Sequence, residues 1–91
     1  MEITYDADKN AKNIRVRGLS FEQVNQFNFG TAIYHVDNRR DYGEIRFRAL
    51  GSLDKRLHAL IFADTEKGIR VISFRKANQR EVRKYEQETK T

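Results

Sequence analysis

The sequence predicts an α+β fold: a small antiparallel sheet with two N-terminal helices and one C-terminal helix, in the order β-α-α-β-β-β-β-α. Three observations predict it. Stretches of alternating or continuous apolar residues fall one after another between residues 33 and 75, joined by short turns, and consecutive strands with short connections pair antiparallel. Helix-capping residues sit at Asp6, Ser20 and Asn78, toward the ends of the chain, so helices and strands do not alternate as a parallel doubly wound sheet requires. The 91 residues hold no proline, no internal repeat and no linker-like stretch, so residues 1–91 read as a single domain.

The elements follow in order. Met1–Tyr5 alternates Ile3 and Tyr5 against Glu2 and Thr4, a short strand. Asp6 caps a helix over Ala7–Val16, and Gly18 supplies the left-handed residue that closes it. A second helix starts at Ser20, where Ser20 and Gln23 have capping-box spacing and Leu19 and Val24 have staple spacing. Val24 and Phe27 share its apolar face, and Gly30 breaks it. Ile33–Val36 is a strand and Asp37–Tyr42 a polar loop. Glu44–Leu50 is the clearest strand, with Ile45, Phe47 and Ala49 on one face and Glu44, Arg46 and Arg48 on the other. Gly51–Asp54 reads as a turn. Leu57–Ala63 is nearly all apolar, as a central strand covered on both faces would be. Thr65–Gly68 is a hairpin turn, and Ile69–Arg75 is the last strand. Asn78, with Glu81 three residues on, caps a final helix whose apolar contacts are Val82 and Tyr85.

Composition narrows the function. Hydrophobic residues make up 38% of the chain, too many for a disordered protein despite 34% charge. There is no cysteine, hence neither a disulfide framework nor a thiolate metal site. No apolar run approaches the roughly 20 residues of a membrane span, and the first residues lack the pattern of a signal peptide, so a cytoplasmic protein is expected, without a membrane partner. The net charge of +5 is unevenly spread: residues 1–45 carry six Lys/Arg against seven Asp/Glu, residues 46–91 twelve against six. That asymmetry points to a polyanionic partner, RNA foremost.

Two constellations carry the chemistry. Glu44, Arg46 and Arg48 recur at a spacing of two on one strand face. A carboxylate beside guanidiniums suits phosphodiester cleavage: Glu44 takes the proton of a ribose 2′-OH, and Arg46 holds the phosphate. An ordinary solvated sheet face with cross-strand ion pairs has the same pattern. The second is the junction from Arg70 to Lys84, where Arg70, Arg75, Lys76, Arg80, Arg83 and Lys84 face a lone acid, Glu81. Arg75 and Lys76 lead into a helix start whose free N–H groups also favour anions. By simple alternation Arg70 and Arg75 fall on opposite faces unless a bulge intervenes. His35 and His58 stand far apart with no second ligand at i+2 to i+4, so no metal site is expected. Phe74 and Tyr85, aromatics among arginines, suit base stacking, but at strand and helix spacing they read first as core. No glycine-rich phosphate loop and no nucleophile elbow is present.

Three motifs together resemble a known family. Ile72-Ser73-Phe74-Arg75-Lys76-Ala77 with Glu81 and Tyr85-Glu86 resembles the I-S-x-R-x-A-x-x-x-E-x-x-x-Y-E ending of the BrnT ribonuclease toxins of bacterial type II toxin–antitoxin systems. Gly43-Glu44-Ile45-Arg46-Phe47 with Leu50-Gly51 resembles their G-E-x-R-F…I-G strand, and Tyr5-Asp6 with Lys9, Asn13, Gly18 and Ser20-Phe21 resembles their W-D-x-x-K…N…H-G-x-S/D-F opening. The resemblance implies a RelE-like fold, RNA cleavage without a metal or other cofactor, and a cognate antitoxin of the ribbon-helix-helix type in a hetero-oligomer, with operator DNA met only through the antitoxin. It places Glu44, Arg46 and Arg75 at recurring family positions, as the expected catalytic residues. Arg48, Lys76, Arg80, Arg83 and Arg17 are then the expected RNA-binding residues. Where the family ends its first helix with Lys-His-Gly, this chain has Val16-Arg17-Gly18, a cation without an acceptor in place of a histidine. The rival reading is a non-catalytic RNA-binding or regulatory module using the same basic surface.

Overall fold

The computed structural model describes residues 1–90. Five strands form one sheet in the order β1-β5-β4-β3-β2: β1 Glu2–Tyr5, β2 Ile33–Val36, β3 Phe47–Leu53, β4 Arg56–Asp64 and β5 Gly68–Lys76. Helix α1 spans Ala7–Arg17 and α2 spans Gln79–Thr89. The expected α+β class and element order hold, with three corrections.

The second helix is a six-residue 3-10 helix, Phe21–Gln26, and it ends before Gly30 because Phe27 turns to extended backbone. The Ser20–Gln23 capping box forms as predicted, but its purpose is to bury Phe21 and Val24 in the core rather than to start a long helix. The third strand begins at Phe47, not Glu44, and runs through Gly51 to Leu53, so the turn moves to Asp54-Lys55. Gly51 is therefore a strand residue, and glycine is needed there for closeness: a Cβ would stand 2.6 Å from the Phe27 ring and 2.9 Å from Ala32 Cβ. The sheet is mixed, since β1 lies parallel to β5 with Ile3 opposite Ile69 and Tyr5 opposite Val71.

The core lies on the sheet face covered by α1 and the 3-10 helix. Phe74, Leu60 and Val71 from the central strands meet Phe21, Val24 and Phe27, all buried. Edge-to-face rings support it, Tyr5 on Phe21 at 5.7 Å and Phe27 on Phe74 at 6.0 Å. β1 stops at Tyr5, and beyond it α1 runs beside the open edge of β5. Buried Asn13 stands there in place of a strand, donating from its side-chain amide to Phe74 O at 2.8 Å and Leu19 O at 2.9 Å.

The other sheet face carries Arg48, Arg70 and Arg75. α2 crosses it, held by Arg75–Glu81, by His35–Glu88 at 3.1 Å and by Tyr85 Oη donating to Thr31 O at 2.9 Å. Buried Leu50 and Ala59 share the row of Arg75 on that face. The central strand β4 is thus covered on both sides, as its composition predicts. One irregularity sets the face: Ile61 pairs with Ser73 but Phe62 pairs with Val71, leaving Ile72 as an extra residue in β5. This bulge shifts the alternation by one, so Arg70, Ser73 and Arg75 all point to the same side.

Candidate active site

A cleft of about 560 Å³ opens on that face. Its floor is Ile61 of β4 with Ile72, Ser73 and Arg75 of β5. Arg17 enters from the end of α1, Arg46 from the start of β3, and Asp37, Arg39, Arg40 and Tyr42 from the β2–β3 loop. Five guanidiniums therefore surround one cleft, against a single carboxylate, Asp37.

Glu44 and Arg46 precede β3 rather than belong to it, positioned by the turn at Gly43, whose φ of +69° suits glycine. Arg46 Nε donates to Glu44 Oε2 at 2.9 Å, and Arg70 Nη2 donates to the same oxygen at 2.5 Å. Arg70, followed by Arg46, holds the Glu44 carboxyl below the usual carboxylate range. Glu44 Oε1 accepts nothing among the described residues. The Ile72 bulge overrides the simple alternation that would put Arg70 and Arg75 on opposite faces, and Arg75, expected to act with Glu44 and Arg46, bonds to neither. Arg75 is instead gripped by Glu81, Nη1 to Oε1 at 2.7 Å and Nη2 to Oε2 at 3.0 Å.

Glu81 closes the capping box of α2, accepting from Asn78 N at 2.9 Å while its own N–H donates to Asn78 Oδ1. Burial alone would raise its carboxyl, but the bonds from Arg75 and Asn78 outweigh burial and bring it below the usual range. The last helix thereby aims Arg75: the carboxylate that closes the capping box of α2 also fixes the guanidinium in the cleft.

Of the expected RNA-binding residues, Arg17 lines the cleft. Arg48 sits on the same face, in the row between Arg46 and Arg75, with its Nε buried and unpartnered. Lys76 lies one residue past Arg75 and falls on the opposite face, where it lines a separate pocket with His58 and Gln23. Arg80 and Arg83 lie on the exposed surface of α2, and Arg83 lines a shallow groove with Glu86 and Lys90. Neither lines the cleft. His58 stacks on Phe74 in the core at 5.4 Å, its Nδ1 against Arg56 O, and burial pushes its pKa down. His35 reaches the cleft side but is spent on Glu88. Among the described residues no group of three or more His, Cys, Asp or Glu is placed to hold a metal ion, and no helix is long and apolar enough to cross a membrane.

Sequence reasoning missed the β2–β3 loop. Asp37 is buried, and its carboxylate accepts from Arg39 Nε at 2.7 Å, Arg39 Nη2 at 2.8 Å and Tyr42 Oη at 3.2 Å. Arg39, above all, holds Asp37 down at about 2. Its backbone N–H donates to Arg46 O at 2.7 Å, extending the β2–β3 ladder by one residue. The available signal was two arginines and a tyrosine within six residues of a glycine turn, directly before the Glu44–Arg46 pair.

Comparison with known proteins agrees with this architecture. No curated protein matches significantly. The chain is similar to the Brucella abortus ribonuclease toxin BrnT, whose crystal structure at 1.1 Å resolution matches with a TM-score of 0.65 and 29% identity over 87% of this chain and 99% of that one. The family described as the ribonuclease toxin BrnT of type II toxin–antitoxin systems matches residues 5–81, a span that includes both the Glu44–Arg46 turn and the Arg75–Glu81 pair. The chain belongs to the BrnT family of ribonuclease toxins of type II toxin–antitoxin systems.

Proposed function

We propose that this chain is an endoribonuclease that cuts RNA in the guanidinium cleft without a metal, and that a cognate antitoxin neutralises it. The observation that carries the reading is the convergence of Arg17, Arg39, Arg40, Arg46 and Arg75 on one cleft, whose Arg46 bonds to Glu44 in the adjoining groove. The ribose 2′-oxygen attacks the adjacent phosphorus, and Glu44 takes its proton on the free Oε1. The bond from phosphorus to the 5′-oxygen breaks, leaving a 2′,3′-cyclic phosphate, and the departing oxygen takes a proton from water. Arg46 and Arg75 stabilise the negative charge that gathers on the phosphoryl oxygens. Arg17, Arg40 and Arg48 hold flanking phosphates. Arg80 and Arg83, outside the cleft with Lys76, are free to contact distal RNA or an acidic antitoxin surface. In this reading the chain works in the cytoplasm as a single domain. Its antitoxin is a ribbon-helix-helix protein that alone contacts operator DNA.

The test is cleavage of RNA by purified protein in EDTA, with Glu44→Gln beside the wild type. Loss of a general base lowers the rate by about 10²–10⁴-fold. A wild type that leaves RNA intact in EDTA and with added divalent ions refutes the reading. Two features favour the non-catalytic rival: Glu44 is held in two ion pairs, and Arg17, where the resemblance implies a histidine, is a cation without an acceptor. That rival predicts RNA binding without cleavage, and binding by Glu44→Gln equal to or tighter than that of the wild type.

A further inference from the structure

The chemistry of a cleft lined with cations explains how it holds phosphates but not how it holds a nucleotide in register. The β2–β3 loop supplies what is missing. Tyr42 lines the cleft, and the Arg46 guanidinium carbon lies over the face of its ring, 4.2 Å from the centroid, in a cation–π contact. The ring is not left to swing: its hydroxyl donates to Asp37, and the same buried carboxylate clamps Arg39 by two hydrogen bonds. A tyrosine that served only as loop packing would have no reason to stand against a cleft guanidinium with its hydroxyl tied to a buried carboxylate.

We propose that the Tyr42–Arg46 pair is a stacking platform for an unpaired base next to the cleaved phosphate, and that Asp37 is the positioning residue that holds it. Aromatic rings and arginine planes both accept bases, and a base continues a stack that ring and guanidinium have begun. The substrate is accordingly single-stranded, because a base inside a duplex offers no free face. The platform selects for the presence of a base rather than its identity, since every base has a π-face. This inference rests on the ribonuclease reading of the same cleft.

The experiment measures binding apart from cleavage. A fluorescein-labelled single-stranded oligonucleotide of 2′-fluoro-uridines lacks the attacking hydroxyl, and an abasic oligonucleotide of the same length carries the same phosphates without bases. Fluorescence anisotropy should show the wild type binding the base-bearing probe about fivefold to a hundredfold more tightly than the abasic one. Tyr42→Ala should abolish that ratio, and Tyr42→Phe, which keeps the ring but loses its bond to Asp37, should keep only part of it. Because the readout is a ratio of two probes on one protein, a partly unfolded variant does not distort it. A wild type indifferent to the bases overturns the inference, as does a Tyr42→Ala variant that keeps the wild-type ratio. Cleavage of ordinary RNA by the wild type is run alongside. If it cleaves and the ratio fails, only the platform is lost; if it neither cleaves nor binds RNA, the ribonuclease reading itself falls.

Discussion

Replacing Glu81 with glutamine removes one charge from the contact that aims Arg75, and the structure sets the size of the effect. The Glu81 side chain is 8% exposed and that of Arg75 is 26% exposed. Breaking a fully buried pair by removing one partner costs about 3–5 kcal/mol, whereas an exposed pair is worth about 0.2–1 kcal/mol. This pair lies nearer the buried limit, but Arg75 keeps part of its surface in water, and the glutamine oxygen still accepts from Asn78 N. The expected loss is about 2 kcal/mol, or roughly 8–16 °C in Tm for a domain this size. The pH dependence identifies the cause. The folded Glu81 carboxyl titrates below its ordinary value, so its contribution is complete above the unfolded pKa of about 4.3 and fades as pH falls through the lower folded value. Urea unfolding followed by circular dichroism should therefore show the full Glu81→Gln deficit at pH 7, and a smaller one with each step below about pH 4.3. A deficit under about 0.5 kcal/mol at pH 7, within the range of an ordinary surface substitution, would refute the reasoning. So would an equal deficit at pH 3.

Three further outcomes are expected. Asp54 and Lys55 form a two-residue hairpin turn with φ of +49° and +65°, a geometry that favours glycine at the second position, so Lys55→Gly should stabilise the protein by about 0.5–1 kcal/mol in thermal unfolding. At Gly68 an added Cβ would meet Glu2 O at 2.0 Å and Glu2 N at 2.6 Å, both backbone atoms. Gly68→Ala should thus cost about 3 kcal/mol and strip hydrogen-exchange protection from the amides of β1, while an unchanged exchange pattern there would contradict the register. In RNA binding, each phosphate held contributes about −0.7 to the slope of log K against log salt on a single strand. Arg40, which lines the cleft with no carboxylate partner among the described residues, should account for one such step, so Arg40→Ala should flatten the slope by about 0.7. An unchanged slope would remove Arg40 from the cleft's grip on RNA.

Much of the fold was legible because it is written in local signals. Asp6, Ser20 and Asn78 cap their helices where the sequence says they should, since a side-chain oxygen satisfying free N–H groups two or three residues on needs no distant partner. The continuous apolar run of β4 announced a strand buried on both faces, and the Asn78–Glu81 spacing announced α2. The errors came where a distant residue overrides a local preference. Gly51 reads as a turn, yet it stands in β3, and glycine is needed there because the Phe27 ring and Ala32 occupy the space a Cβ would need.

The residue types for phosphate chemistry, the basic second half and the family motifs are properties of the chain read in order, and they pointed to Glu44, Arg46 and Arg75 before any coordinates. Which of these meet one another is a property of register. A single extra residue at Ile72 rotates every later side chain of β5 to the other face and brings Arg70 and Arg75 to one side. Alternation has a period of two, so it carries no trace of such an insertion. The choice of Glu81 as partner for Arg75, and of Arg70 as partner for Glu44, likewise depends on reach across packed strands and helices. So does the role of Asp37, an unremarkable loop residue in sequence that becomes the buried anchor of Arg39 and Tyr42 once β2 and β3 are zipped together.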